Sequence, residues 1–228
     1  TWQVDPDLSL VVINEVLAAN GGSYENQGRF PDMIELHNAG AATVDLSQKS
    51  ITDNPAIPGK YVFPQGTTIP AGGYLVLNAD NGQSQGIHLG FSLDDDGEGV
   101  YLHDSVENGG ALLDSIQFGL QVAGFSIGRI GHSGSQWALT RVTPGQANQR
   151  QPFGPQSGLC INEWLAAPDI LFAEDFIEIH NPDNLPVPLA GLIISQDARP
   201  EGNQGEIAPL SFIAANGFSV FRANGSGQ

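Results

Sequence analysis

The chain repeats itself, and the repeat constrains the fold more than any other feature. Ile13-Asn14-Glu15-Val16-Leu17-Ala18-Ala19 returns as Ile161-Asn162-Glu163-Trp164-Leu165-Ala166-Ala167. Asp32-Met33-Ile34-Glu35-Leu36-His37-Asn38 returns as Asp175-Phe176-Ile177-Glu178-Ile179-His180-Asn181. Val44-Asp45-Leu46 matches Val187-Pro188-Leu189, and Ile69 through Leu77 match Ile213 through Phe221. Four blocks in one order, offset by 143 to 148 residues, mark a duplication, so one fold must suit both halves. The slip between the first two blocks falls in the loop holding Gly21-Gly22-Ser23 and Gly28. Gln228 corresponds to position 84 of the first copy, which itself closes near Pro144-Gly145-Gln146-Ala147-Asn148. The second copy therefore lacks a counterpart of residues 85–148. The expectation is a fragment of a longer protein rather than a half-unit. A half sandwich would expose an apolar face and an open edge, and would self-associate. The domain plan is residues 8–149, a linker at 150–158 that two prolines stiffen, and a partial repeat at 159–228.

The local pattern predicts strands almost throughout. Runs of Val, Ile, Leu, Phe and Tyr at 8–17, 32–38, 50–53, 60–63, 74–79, 100–104, 113–118, 125–130 and 137–141 are separated by turn chemistry. Pro58-Gly59, Asn81-Gly82, Asp96-Gly97, Asn108-Gly109-Gly110 and Pro144-Gly145 supply a fixed φ or a permitted positive one. No long segment has helical periodicity. The fold class is all-β, a sandwich or small barrel. In residues 32–38, Ile34 and Leu36 are expected to face the core while Glu35 and His37 face outward, as do Glu178 and His180 in the second copy.

Charge excludes several functions. Eight Lys and Arg stand against 25 Asp and Glu, a formal net charge of −17. Phosphate backbones and anionic membrane surfaces repel such a chain, so no nucleic-acid partner and no membrane insertion are expected. The excess belongs to both copies: residues 1–150 carry 16 acids and 6 bases, and residues 151–228 carry 9 and 2. An acidic surface rich in Asn, Gln, Ser and Gly, with only two Lys, suits an extracellular or cell-surface location.

Four constellations are candidates for chemistry. Glu15, set in an apolar run, is either a general acid or base paired with Glu35 or Asp32, or a tie to a neighbouring loop. The second is favoured, because the group recurs as Glu163. Glu35 with His37, and Glu178 with His180, could begin a metal site, yet two ligands fall short of the usual three or four, and an exposed strand face is preferred. Asp94, Asp95, Asp96 and Glu98 form the densest acidic run and are the candidate calcium ligands. The alternative is a solvated hairpin with Asp96-Gly97 at its tip. Gly131-His132-Ser133-Gly134-Ser135 is a turn and not a nucleophile elbow, and Cys160 is expected to be a small buried residue.

Taken in order, these blocks resemble the lamin tail domain, including secreted bacterial forms. The resemblance rests on Ile13–Val16, Asp32–Asn38, Val44–Ser47, Tyr61–Thr67 and Ile69–Leu77. It continues through Ser126-Ile127-Gly128-Arg129, Trp137 and Thr143–Asn148, and reappears over 159–228. The second copy departs from it at Phe63-Pro64, for which no aromatic-Pro counterpart is evident before Ile213. The resemblance implies an immunoglobulin-like β-sandwich with no catalytic residues. The recurring blocks make it a tandem repeat, and no cofactor is expected other than a possible calcium at the Asp94–Glu98 run. The expected function is a non-catalytic accessory module of a larger secreted or surface protein, recruiting a protein or glycan partner. A calcium-dependent carbohydrate- or protein-binding module and a carboxylate-pair hydrolase around Glu15 and Glu35 are the alternatives.

Overall fold

The computed structural model describes residues 11–82, 84–131, 136–166, 175–195 and 205–222. The chain divides into two compact units, Thr1–Gln151 and Pro152–Gln228.

In the first unit a seven-stranded sheet runs in the order β13-β12-β11-β1-β2-β7-β8. Its strands are β1 (Val11–Leu17), β2 (Asp32–Asn38), β7 (Tyr74–Ala79), β8 (Ile87–His88), β11 (Ser126–Arg129), β12 (Trp137–Arg141) and β13 (Gln149–Arg150). A four-stranded sheet is ordered β10-β9-β4-β5, built from β4 (Ser50–Thr52), β5 (Tyr61–Val62), β9 (Glu98–His103) and β10 (Leu112–Phe118). A short pair, β3 (Val44–Asp45) with β6 (Thr68–Ile69), completes it. The two larger sheets sandwich the core. Ile13, Val16, Ile34, Leu36, Leu77, Ile127 and Leu139 supply one side; Ile51, Val100 and Leu102 supply the other, all at 0–1% exposure. Burying one such side chain stabilises by about 1.5–3 kcal/mol.

A bulge sets the faces of β1. Ile13 pairs with Leu36, but Glu15 pairs with Glu35, so Asn14 and Glu15 together oppose one residue. The extra residue keeps Ile13 and Val16 on the same, apolar face and turns Asn14 and Glu15 to the other. Side chains and backbone from distant segments take up the polar groups this frees. Asp114 Oδ2 accepts from Ile13 N at 2.8 Å, Arg129 Nε donates to Ile13 O at 2.7 Å, and Asn148 Nδ2 donates to Asn14 O at 2.9 Å.

The Asp94–Glu98 segment is not a hairpin. β8 belongs to the seven-stranded sheet and β9 to the four-stranded one, so this turn carries the chain from one sheet to the other. The sequence pattern missed β3, β6, β8 and β13, each two residues long and too short to show alternation.

The second unit holds β14 (Cys160–Leu165), β15 (Phe176–His180) and β18 (Phe218–Arg222) in one sheet, with β16 (Val187–Pro188) paired to β17 (Phe212–Ile213). Its pairing reproduces that of the first unit closely. Ile161 opposes Ile179 and Glu163 opposes Glu178, with the same bulge at Asn162. Asn162 Nδ2 donates to Glu178 Oε1 at 2.6 Å, as Asn14 Nδ2 donates to Glu35 Oε1 at 2.8 Å. His180 stacks on Phe218 as His37 stacks on Tyr74. The missing aromatic-Pro counterpart is Ile207. Its N–H donates to Leu192 O at 2.9 Å, as that of Phe63 donates to Lys49 O at 2.9 Å, and both side chains are buried.

Candidate functional site

Glu35 and His37 do lie on the face opposite the apolar core, but that face is not exposed. Glu35 is 0% and His37 1% accessible. The segment Thr143–Asn148 closes over Glu35, while His37 stacks on Tyr74. Thr143-Pro144-Gly145-Gln146 is a β-turn, with Gln146 N–H donating to Thr143 O at 3.0 Å and Gly145 at φ 74°. Pro sits where φ is preset and Gly where a left-handed residue is required. The turn's N–H groups point inward at two carboxylates. Glu15 Oε1 accepts from Thr143 N at 3.0 Å and from Ser126 Oγ at 2.5 Å. Glu35 Oε2 accepts from Gly145 N at 2.5 Å while its Oε1 takes the Asn14 amide. Ser126 exchanges further hydrogen bonds with Thr140 on β12. Asn148 Nδ2 finishes the closure by also donating to Arg129 O at 2.9 Å.

Electrostatics follows from this burial. Loss of water raises the Glu15 carboxyl above its usual range, with Ser126 and Thr143 opposing the rise. Burial pushes Glu35 up to about 7, the hydrogen bonds from Gly145 and Asn14 pull back, and the Glu15 charge adds to the rise. A pair of carboxylates with raised pKa values satisfies one criterion for acid-base chemistry. The geometry denies it a substrate, because the closing turn occupies the ground in front of both groups.

The other candidates fall elsewhere. In the acidic turn, Glu98 Oε1 accepts from Asp94 N at 2.6 Å and Asp94 Oδ1 from Asp96 N at 3.0 Å, so two of the four carboxylates serve the loop's own backbone. Burial raises Glu98 to about 7, with the Asp53 and Asp94 charges adding. Among the described residues no group of three or more His, Cys, Asp or Glu side chains converges as a metal cage would. Of Gly131-His132-Ser133-Gly134-Ser135, residues 132–135 lie outside the described residues. Cys160 is exposed and not buried, because β14 lies at the edge of its sheet with all but Leu165 of its residues open to solvent.

The sequence reading missed Asp80-Ser84-His88. His88 Nδ1 lies 2.5 Å from Asp80 Oδ1, and its Nε2 lies 3.2 Å from Ser84 Oγ. The carboxylate–imidazole–hydroxyl sequence of contacts is that of a hydrolytic triad, and the spacing of four and four was its only signal in the chain. Yet Nε2 is also 3.1 Å from the Ser84 carbonyl, and Asn26 Nδ2 donates to the same hydroxyl at 3.3 Å. The ring therefore staples the β7–β8 loop to itself. Asp32 has a related role. It takes Leu93 N at 3.2 Å and Asn20 N at 3.4 Å, and burial raises it to about 6, with Asp95 and Asp80 adding.

The lamin tail domain model matches residues 6–119. No curated protein and no solved structure matches the chain. The matched span includes Glu15 and Glu35 and ends before β11 and the closing turn. Lamin tail domains are immunoglobulin-like structural modules, which agrees with the sandwich of the first unit. With half its length matched in this way, the chain belongs to the lamin tail domain family.

Proposed function

We propose that this chain is a non-catalytic accessory module of a larger secreted or cell-surface bacterial protein. Residues 159–228 would be a partial second lamin-tail-like repeat, and the job would be adhesion, spacing or recruitment of a protein or glycan partner. One observation carries the reading: the buried Glu15 and Glu35 are spent on holding the chain's own closing turn. A hydrolase would leave one carboxylate free for the substrate and another for water. The repeated bulge and its Asn–Glu hydrogen bond support duplication, since the fold needs this pair wherever it occurs. The net charge of −17 and the scarcity of Lys support an extracellular setting.

Two measurements test this. Purified chain, its Glu35→Gln variant and a serine-reactive fluorophosphonate are assayed against ester, glycoside and phosphoester panels. The expected result is no turnover and no labelling of Ser84. Turnover lost in Glu35→Gln, or stoichiometric labelling of Ser84, overturns the non-catalytic reading. Surface biotinylation of intact source cells should label the protein, and labelling only after lysis overturns the location.

A further inference from the structure

The four-stranded sheet of the first unit has an outer face as well as the inner one that meets the core. On β9 the buried Val100 and Leu102 point to the core, so Gly99, Tyr101 and His103 point outward. The register places Ser50 and Leu112 on either side of His103, with Val62 beyond Ser50. It places Thr52 and Ser115 on either side of Tyr101, and Gln117 beside Gly99. None of these outward residues is Asp, Glu, Lys or Arg, in a chain that holds 25 acids. The carboxylates on these strands have the other parity: Asp114 pairs with Leu102, and Glu98 stands two residues before Val100.

At the centre of this face the Tyr101 ring lies along the sheet. A Cβ on Gly99 would meet the phenol oxygen at 2.5 Å and ring carbons at 2.7 and 2.8 Å, so the ring lies across the glycine, which is buried beneath it. Gln117 Nε2 donates to the phenol oxygen at 2.9 Å and fixes the ring in that place. The phenol keeps its own proton to give. Tyr101 is half-buried, so one side of the ring rests on the sheet and the other is open, with the Ser115 hydroxyl and the exposed Gln117 amide beside it.

Such a surface matches a sugar. An aromatic face takes the C–H face of a pyranose, and fixed neutral hydroxyls and amides take its hydroxyl groups. A protein partner would need a continuous apolar patch. Val62, 45% exposed, and Leu112, 53% exposed, stand instead at opposite ends of their rank, with Ser50 and His103 between them. They are three strand spacings apart, about 14 Å, which is room for several linked sugar rings rather than one. Charge narrows the choice of sugar. A net charge of −17 repels uronate and sulfated chains, and no Lys or Arg on this face offsets it.

We infer that the outer face of the four-stranded sheet, centred on Tyr101, binds a neutral polysaccharide. This rests on the accessory-module reading and names its partner.

The test runs the full chain in native gels cast with hydroxyethylcellulose, glucomannan, mixed-linkage β-glucan or amylopectin, with polygalacturonate as the anionic control. At least one neutral polymer should retard the chain, and polygalacturonate should not. Tyr101→Ala should weaken binding about tenfold. Gly99→Ala, which displaces the ring without removing it, should weaken binding as well. So should Gln117→Ala, a change at an exposed position whose unaltered melting temperature separates lost binding from lost fold. The inference is overturned if no neutral polymer retards the chain, or if polygalacturonate retards it equally. It is overturned too if folded Tyr101→Ala and Gln117→Ala bind as the unaltered chain does. Release of reducing ends from a bound polymer would sink the non-catalytic reading instead and leave the binding face standing.

Discussion

Glu35 accepts one hydrogen bond on each oxygen, from Asn14 and from Gly145, in a place without solvent. Glu35→Ala would leave two buried donors without an acceptor. The expected loss is about 1–3 kcal/mol by urea denaturation at pH 8, with faster amide exchange at Gly145. Gly128 makes a second prediction at this scale. A Cβ there would meet the Asn148 side chain, which holds both Asn14 O and Arg129 O. Gly128→Val should loosen the closing segment and lower the melting temperature, while Gly22→Ala, where a Cβ meets nothing within 4 Å, should cost less despite its φ of 101°. Residue types alone marked Glu15 as anomalous in its strand. They gave no sign that Glu35 is buried, because the Gly145 N–H that covers it lies 110 residues away.

Among elements, the β1 bulge is the joint on which the first unit turns. It points two polar side chains at the closing segment and leaves a backbone carbonyl and amide to be met by an ion pair. Arg129 Nη2 lies 2.7 Å from both Asp114 oxygens, linking β11 in one sheet to β10 in the other, with side-chain exposures of 11% and 15%. Asp114→Ala should cost about 3 kcal/mol in chemical denaturation, since it strands a nearly buried cation and the Ile13 N–H together. A double-mutant cycle with Arg129→Ala should show strong coupling. A sum of independent effects would mean that the two sheets are not joined here. The bulge was legible only as an oddity, an Asn-Glu step inside an apolar run. Its register became visible once β2 was laid beside it, since alternation cannot show which strand carries the extra residue.

For the whole molecule, the acid excess takes on a definite pH dependence. Glu35 and Glu98 sit near 7 and Asp32 near 6 in the folded chain, above their ordinary values of 4.5 and 3.8. Between those ordinary values and the raised ones the folded state binds more protons than the unfolded one. The stabilisation from these groups is therefore complete below about pH 4 and is lost as pH rises through 6 to 7. Asp104 behaves oppositely: burial would raise it, but the Lys49 ammonium at 2.6 Å and the Ser105 N–H hold it below its usual range. Its contribution is present above pH 4 and falls away in stronger acid. Thermal stability of the first unit should therefore increase from pH 8 to pH 5 and decline again below about 4, at up to about 1.4 kcal/mol per pH unit for each titrating group. A flat or rising melting temperature from pH 5 to pH 8 would contradict this. The all-β class, the turns, the inward Ile34 and Leu36 and the recurrence of the Ile-Asn-Glu block were legible in the sequence, because strand alternation and turn chemistry act between near neighbours. The tertiary structure alone decided that Glu35 and His37 are covered, that the acidic turn crosses between sheets, that Ile207 replaces Phe63, and that Cys160 is exposed. Each of these depends on what lies across the fold from a residue, and local pattern carries no record of partners a hundred positions away.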